Sequence, residues 1–212
     1  MVADVLVGAR RTHGRPARRK AAVDAAVLAA MPGEVLRTVR DRALLVFGMA
    51  CCLRRSELVA LHVEDLERVP EGLRVTVRRS KTDQDGRGAV AAVPDGRQLR
   101  PVAALQAWLA ATGVTGGPVF RWLSRDGTQA LPEAMSDRAV ARVVQARVAA
   151  AGLDPAFFGG HSLRAGFITA AAAAGTSAFR MREVSRHKSI QVLADYVRHA
   201  KAFEDHPGEA FL

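Results

Sequence analysis

The sequence predicts a mostly helical α+β domain with one small antiparallel sheet. Three observations point there. Hydrophobic residues make up 49% of the 212 positions but aromatics only 5%, and alanine is abundant, which favours small-residue helix packing over a β-sandwich. Apolar residues recur at helical spacing through most of the chain. One segment breaks that rhythm: Leu73, Val75 and Val77 alternate with Arg74, Thr76 and Arg78, the pattern of a half-buried strand.

Residues 1–20 read as a basic arm. Arg10, Arg11, Arg15, Arg18, Arg19 and Lys20 are interrupted by Gly14 and Pro16 and show no apolar period. The main domain is expected over 21–205, followed by a tail over 206–212 that Pro207-Gly208 breaks. A short alanine-rich helix is expected from Lys20 to Met31, ended by Pro32-Gly33. A longer one follows from Glu34 to Cys52, with Leu36, Val39, Ala43, Phe47 and Ala50 on its apolar stripe and Arg37, Arg40, Asp41 and Arg42 on its polar side. Another helix starts near Ser56 and runs to Leu61, leaving Arg54 at a helix junction. A two- or three-stranded sheet comes next; the turn Ser80 to Gly88 joins the first strand to a second at Ala89 to Val93, which puts Lys81 at the mouth of a hairpin. Helices are expected over Arg100 to Ala111 and over Ser136 to Ala151, the latter capped by Ser136 and Asp137 and stopped by Gly152. Between them Val114 to Arg125 is a loop with a short extended piece at Pro118 to Trp122. Three further helices, His161 to Ala174, Ser177 to Arg186 and Ser189 to His199, complete the domain.

The net charge of +10 implies a polyanionic partner, although charge alone does not separate nucleic acid from a lipid surface. No run approaches the roughly 20 apolar residues of a membrane span, and the start MVADVLVGARR lacks the character of a signal peptide, so a cytoplasmic protein is expected. Cys51 and Cys52 are adjacent in an apolar helix, which suits two small buried residues better than a disulfide or a zinc site. The fragment DQDG at 83–86 lacks the other ligands of a calcium loop, so no metal or other cofactor is expected.

The chemistry concentrates in Gly159 to His199. His161 and Arg164, three apart, share a helix face at an N-terminus, where backbone donors favour an anion. His187 precedes a helix that Ser189 can cap, and Tyr196, the one tyrosine in the chain, follows nine residues later. A phenol beside cations and a bound phosphate suggests a nucleophile, because an oxygen of pKa about 10 needs help to attack. Upstream, Arg54 and Glu57 are three apart, so the carboxylate can orient the guanidinium.

Four motifs, LRRSEL at 53–58, SKTDQDGRG at 80–88, HSLRAGF at 161–167 and HKS with its tyrosine, occur in the order in which the tyrosine recombinases, or phage integrases, carry theirs. The sequence resembles the catalytic domain of that family from about Ala21 to Phe203. The resemblance implies the DNA breaking-rejoining fold and site-specific recombination or integration of double-stranded DNA. It implies Tyr196 as the nucleophile forming a 3′-phosphotyrosine and Arg54 and Arg164 as the pair holding the phosphate oxygens. It further implies Lys81 as the acid for the leaving 5′-oxygen, His161 in proton transfer, His187 at a position that is His or Trp in relatives, and Glu57 as support behind the site. Phosphoryl transfer of this kind conserves bond energy, so neither ATP nor a metal is expected. Arg78, Arg79 and the basic arm are expected to lie along phosphates. A tetramer on DNA and a monomer in its absence are expected. Relatives usually carry a further N-terminal domain that closes around DNA; the chain starts at what reads as the linker after it, which predicts weak, strongly salt-dependent DNA binding. Two other readings stay open on sequence: DNA relaxation by the same chemistry, as in type IB topoisomerases, and a DNA-binding regulator that does no chemistry.

Overall fold

The computed structural model describes residues 20–29, 35–78 and 88–200. In chain order these form α1 (Ala25–Ala29), α2 (Leu36–Ala50), α3 (Arg55–Val59), a 3₁₀ turn (Val63–Asp65), β1 (Leu66–Val69), β2 (Gly72–Val77) and β3 (Ala89–Pro94). There follow α4 (Pro101–Thr112), β4 (Arg121–Leu123), β5 (Ala130–Ala134), α5 (Asp137–Ala150), a second 3₁₀ turn (Pro155–Phe157), α6 (Ser162–Ala173), α7 (Ala178–Ser185) and α8 (Ile190–Ala200). The fold class expected from the sequence is the one observed.

Helix α2 is the axis of the main core. Ala43, Leu44, Leu45, Val46 and Phe47 are all buried, so the helix is covered on every side rather than along one stripe. That surrounding core corrects the expectation for Arg40 and Asp41, which the helical period assigned to a polar face. Both are buried, 5% and 4% exposed. Asp41 accepts from the Nε and Nη2 of Arg40 and, through its other oxygen, from Arg147 of α5 at 2.6 Å. The charges can be buried because one carboxylate satisfies two guanidiniums, and the arrangement clamps α5 onto α2.

The alternation in β2 holds: Leu73, Val75 and Val77 are buried while Arg74 and Thr76 face outward. β2 is the centre of a three-stranded antiparallel sheet, paired to β3 in the register Val77↔Ala89 to Gly72↔Pro94. Its other neighbour, β1, carries no alternating signal, and its residues are intermediate or exposed. It joins through a tight connection that pairs Val69 with Gly72, where any side chain would strike the Val93 carbonyl. A second, two-stranded sheet, β4 with β5, was legible only as an extended piece near Trp122.

Helices α6, α7 and α8 pack on one another through a smaller cluster of Cys52, Ile168, Ala172, Met181 and Leu193, with Tyr196 and Val197 at its margin. Serine caps set the starts of α5, α7 and α8: Ser136, Ser177 and Ser189 accept from the backbone of Ala139, Arg180 and Gln191. The stretch before α1 lies against the start of α6, with Ala21 N–H donating to Phe157 and Val23 N–H to Ser162. Gly166 makes this approach possible, since a Cβ there would lie 2.4 Å from the Val23 carbonyl. Gly166→Ala should therefore cost about 1–3 kcal/mol through overpacking against rigid backbone, read as a lowered urea midpoint. Gly113→Ala, at a φ of 65° with open space around it, should cost only the left-handed strain, about 1 kcal/mol. Equal losses at the two positions would contradict this packing.

Candidate active site

Arg54 ends the connection from α2 and caps α3. Its φ and ψ of −71° and 151° turn its own N–H toward Glu57, whose Oε2 accepts it at 2.9 Å. The Arg54 guanidinium donates to the other carboxylate oxygen at 2.6 Å. One buried carboxylate thus fixes both the backbone and the side chain of Arg54, the orientation expected from the i, i+3 spacing.

Arg164 occupies the third position of α6, with His161 as N-cap. It shares the cleft side of the helix start with His161, yet at 2% exposure it is one of the largest buried side chains. Nη1 donates to the Cys52 carbonyl at 2.8 Å and Nη2 to the Ser185 carbonyl. Both carbonyls belong to turns in which a non-glycine residue takes the left-handed conformation, Cys52 at a φ of 51° and Arg186 at 56°. Such residues are costly, and here the charge-assisted bonds from Arg164 hold them. Burial lowers the Arg164 pKa, yet a guanidinium stays charged at neutral pH.

The two histidines are both biased toward neutrality. The His161 side chain opens to solvent, but the protein around it desolvates it enough to lower its pKa, and Arg164 and Arg54 act in the same direction. His187 is pushed down to about 4 by burial first, then by Arg164, His161 and Arg54. Its Nδ1 lies 3.2 Å from Nη2 of Arg164 and 2.7 Å from Oγ of Ser185. A guanidinium can only donate, so Nδ1 must be the acceptor and Nε2 carries the proton.

Arg54, His161 and Arg164 line one cleft of about 600 Å³ together with Lys20, Arg55, Asp137, Gln145 and Gly160. Ser162 is buried and its Oγ accepts from Gly159 N–H, which fixes the turn that presents His161. Tyr196 sits on α8, half-buried against the cluster that includes Cys52. Lys20 is the one member of the expected basic arm within the described residues; its Nζ donates to the Ala156 carbonyl. Arg78 is 53% exposed and holds Asp65 at 2.6 Å. Lys81, Arg79, Arg10, Arg11, Arg15, Arg18 and Arg19 lie outside the described residues.

Three participants were not legible in the sequence. Arg55 lines the cleft while its Nε contacts Asp137 at 3.1 Å; it stood in LRRSEL but only its neighbour was singled out. Ser185 and Arg186 contribute a carbonyl, a hydroxyl and a second guanidinium on Glu57, and neither residue type carries a signal beside a helix end. Both cysteines are free and buried, as expected, and burial pushes the Cys52 thiol up to about 11. Among the described residues no His, Cys, Asp and Glu group is arranged to hold a metal, and no helix is long and apolar enough to cross a membrane.

The His187 shift has a stability consequence. Its folded pKa of about 4 lies below the ordinary 6.5, so the unfolded chain binds more protons between those values. The stability that neutral His187 contributes is complete above pH 6.5 and is lost as pH falls through about 4. Chemical denaturation from pH 7 to pH 4 should show a decline that His187→Gln flattens; an unchanged slope in the variant would contradict the assignment.

Comparisons with known proteins bear on the family and the fold. The sequence pattern of the phage integrase family matches residues 24–202. An integrase/recombinase xerD homolog from Selenomonas ruminantium is 39% identical over 175 residues, covering 81% of the chain and 51% of that protein. The chain thus spans about half the length of the curated relative it matches. Its fold is similar to the XerH site-specific recombinase in a post-cleavage complex with difH, at a TM-score of 0.65 and 14% identity over 86% of the chain and 51% of that structure. It is also similar to the Tn1549 transposon integrase bound to circular-intermediate DNA, at 0.60 and 17% over 88% of the chain and 65% of that structure. A third match is a lambda integrase dimer on a core site, at 0.59 and 17% over 92% of the chain and 70% of that structure. With its family pattern matched across α1 to α8 and Arg54, His161 and Arg164 gathered on one cleft, the chain belongs to the phage integrase family.

Proposed function

We propose that the chain is the catalytic part of a site-specific DNA recombinase that cuts and rejoins strands through Tyr196. The observation that carries this reading is the convergence of Arg54, His161 and Arg164 on one cleft, with His187 bonded to Arg164 behind it. Two guanidiniums match the non-bridging oxygens of a phosphodiester, and neutral imidazoles beside them can move protons. The family relationship and the net charge of +10 support a DNA substrate.

In this scheme the Tyr196 oxygen attacks phosphorus in line with the 5′-oxygen. The O–P bond to tyrosine forms as the P–O5′ bond breaks, giving a 3′-phosphotyrosine and a free 5′-hydroxyl. The phenolic proton passes to a neighbouring base, for which His161 is the candidate because its lowered pKa keeps it neutral at pH 7. Lys81 supplies the proton to the 5′-oxygen. His187, with Nδ1 already engaged, offers Nε2–H as a donor to phosphate. Rejoining reverses these steps, so the bond energy is retained and neither ATP nor a metal is required. Arg55, Lys20 and Arg78, with the arm residues and Arg79, would contact flanking phosphates, and copies of the chain would assemble as a tetramer on two duplexes.

Incubation with a nicked suicide duplex should give an SDS-resistant protein–DNA adduct that Tyr196→Phe abolishes. An adduct formed equally by the phenylalanine variant would remove Tyr196 from the mechanism. Lys81→Ala should lose cleavage of the ordinary substrate by about 10²–10⁴-fold, the usual worth of a positioned acid, and recover it with a 5′-thiol leaving group. Equal losses on both substrates would rule out the acid role.

A further inference from the structure

Arg186 is the side chain in this region that the scheme above leaves without a purpose, and the fold carries two costs to keep it. It closes α7 at a φ of 56°, a conformation that glycine or asparagine adopts more readily. Its guanidinium turns inward, with the side chain 16% exposed. Nη2 donates to Oε2 of Glu57 at 2.8 Å, while Nε and Nη1 are buried with no hydrogen-bond partner among the described residues. Buried unpaired donors are rare enough to need an explanation. A surface arginine with a free choice of rotamer would turn them to water.

The explanation lies in the charge of Glu57. This carboxylate is needed to hold Arg54, but alone it would cancel the charge that Arg54 offers to a phosphate. Arg186 supplies the second cation on the same carboxylate, at the oxygen that also accepts the Arg54 N–H. Arg54 and Arg186 bond this carboxylate and Arg164 lies within its electrostatic reach, so three guanidiniums share one anion and leave a surplus of two positive charges. A phosphodiester carries one negative charge, and as a five-coordinate transition state it carries about two. We propose that Arg186 is a positioning residue for phosphoryl transfer: it neutralises and pins Glu57, so that Arg54 is held in place and the site keeps the charge that matches the transition state.

The same turn ties the device to the rest of the site. Ser185, immediately before Arg186, gives its carbonyl to Arg164 and its hydroxyl to His187. Arg186 reaches across to α3, so residues 185–187 address Arg164, His187 and, through Glu57, Arg54. Arg186 also acts on Arg164 electrostatically, one of the influences that lower its pKa. With Nη2 engaged on Glu57 and with Nε and Nη1 buried, Arg186 works through Glu57 rather than by touching phosphate.

The inference rests on the strand-cleavage reading, and the test separates the two. Arg186→Gly deletes the side chain and suits the left-handed backbone; Arg186→Lys keeps the charge. On the suicide duplex, Arg186→Gly should slow adduct formation about 100-fold with DNA affinity changed less than about threefold, and Arg186→Lys should recover most of that loss. Thermal melting should show Arg186→Gly no less stable than the parent, because backbone strain and unpaired donors leave together. A methylphosphonate at the scissile position removes one negative charge from the transition state, so the deficit of Arg186→Gly should shrink at least tenfold there. Equal rates for parent and Arg186→Gly, or the same deficit on both substrates, would overturn the role of Arg186 alone. A parent chain that binds the duplex and never forms the adduct would overturn the cleavage reading and Arg186's role with it.

Discussion

The Arg164 guanidinium is the constraint on which the site depends. It is buried between the end of α2, reached through the Cys52 carbonyl, and the end of α7, reached through the Ser185 carbonyl. Both carbonyls sit at left-handed turns that a chain of ordinary residues avoids, by roughly 1–2 kcal/mol each. The charge-assisted bonds that stabilise those turns are available only if Arg164 is inside, so α2, α6 and α7 are locked in one relative position. That position decides where Arg54, leaving α2, and His187, leaving α7, come to lie.

A second constraint is electrostatic. Guanidiniums held close together repel one another, and the protein offsets this with few anions: Glu57 serves Arg54 and Arg186, and Asp41 separately serves Arg40 and Arg147. The two clusters are similar in form and differ in outcome. Around Asp41 the charges are closed off between α2 and α5, and the arrangement joins helices. Around Glu57 one guanidinium still lines the cleft, and a bound anion would complete the balance. Burial first, and the cationic surroundings with it, keep both histidines neutral, which suits them to exchange protons rather than to add charge.

Much of this was legible in the sequence, for identifiable reasons. Helices α2, α4 and α5 announce themselves by apolar period, α5 also by its Ser136 cap, and β2 by its strict alternation. Arg54 with Glu57 was readable because both lie within one helical turn. Contacts made across large separations were not. The partners of Arg164 are a carbonyl 112 positions earlier and one 21 later, and a backbone carbonyl leaves no trace in residue identity. Arg40 and Asp41 misled because the period assumes one buried face, whereas α2 is buried all round. Strand β1 went unplaced because it has neither alternation nor a buried face, and it is recruited by its pairing with β2.

The central claim is that Tyr196 becomes covalently joined to a DNA 3′-phosphate in this site. The most direct measurement is to trap the protein–DNA adduct, digest it with nuclease and trypsin, and locate the residual nucleotide by mass spectrometry. The added mass is expected on the peptide Ser189–Arg198, at Tyr196. An adduct found at another side chain, such as Ser189 in that peptide or a histidine outside it, would contradict the account.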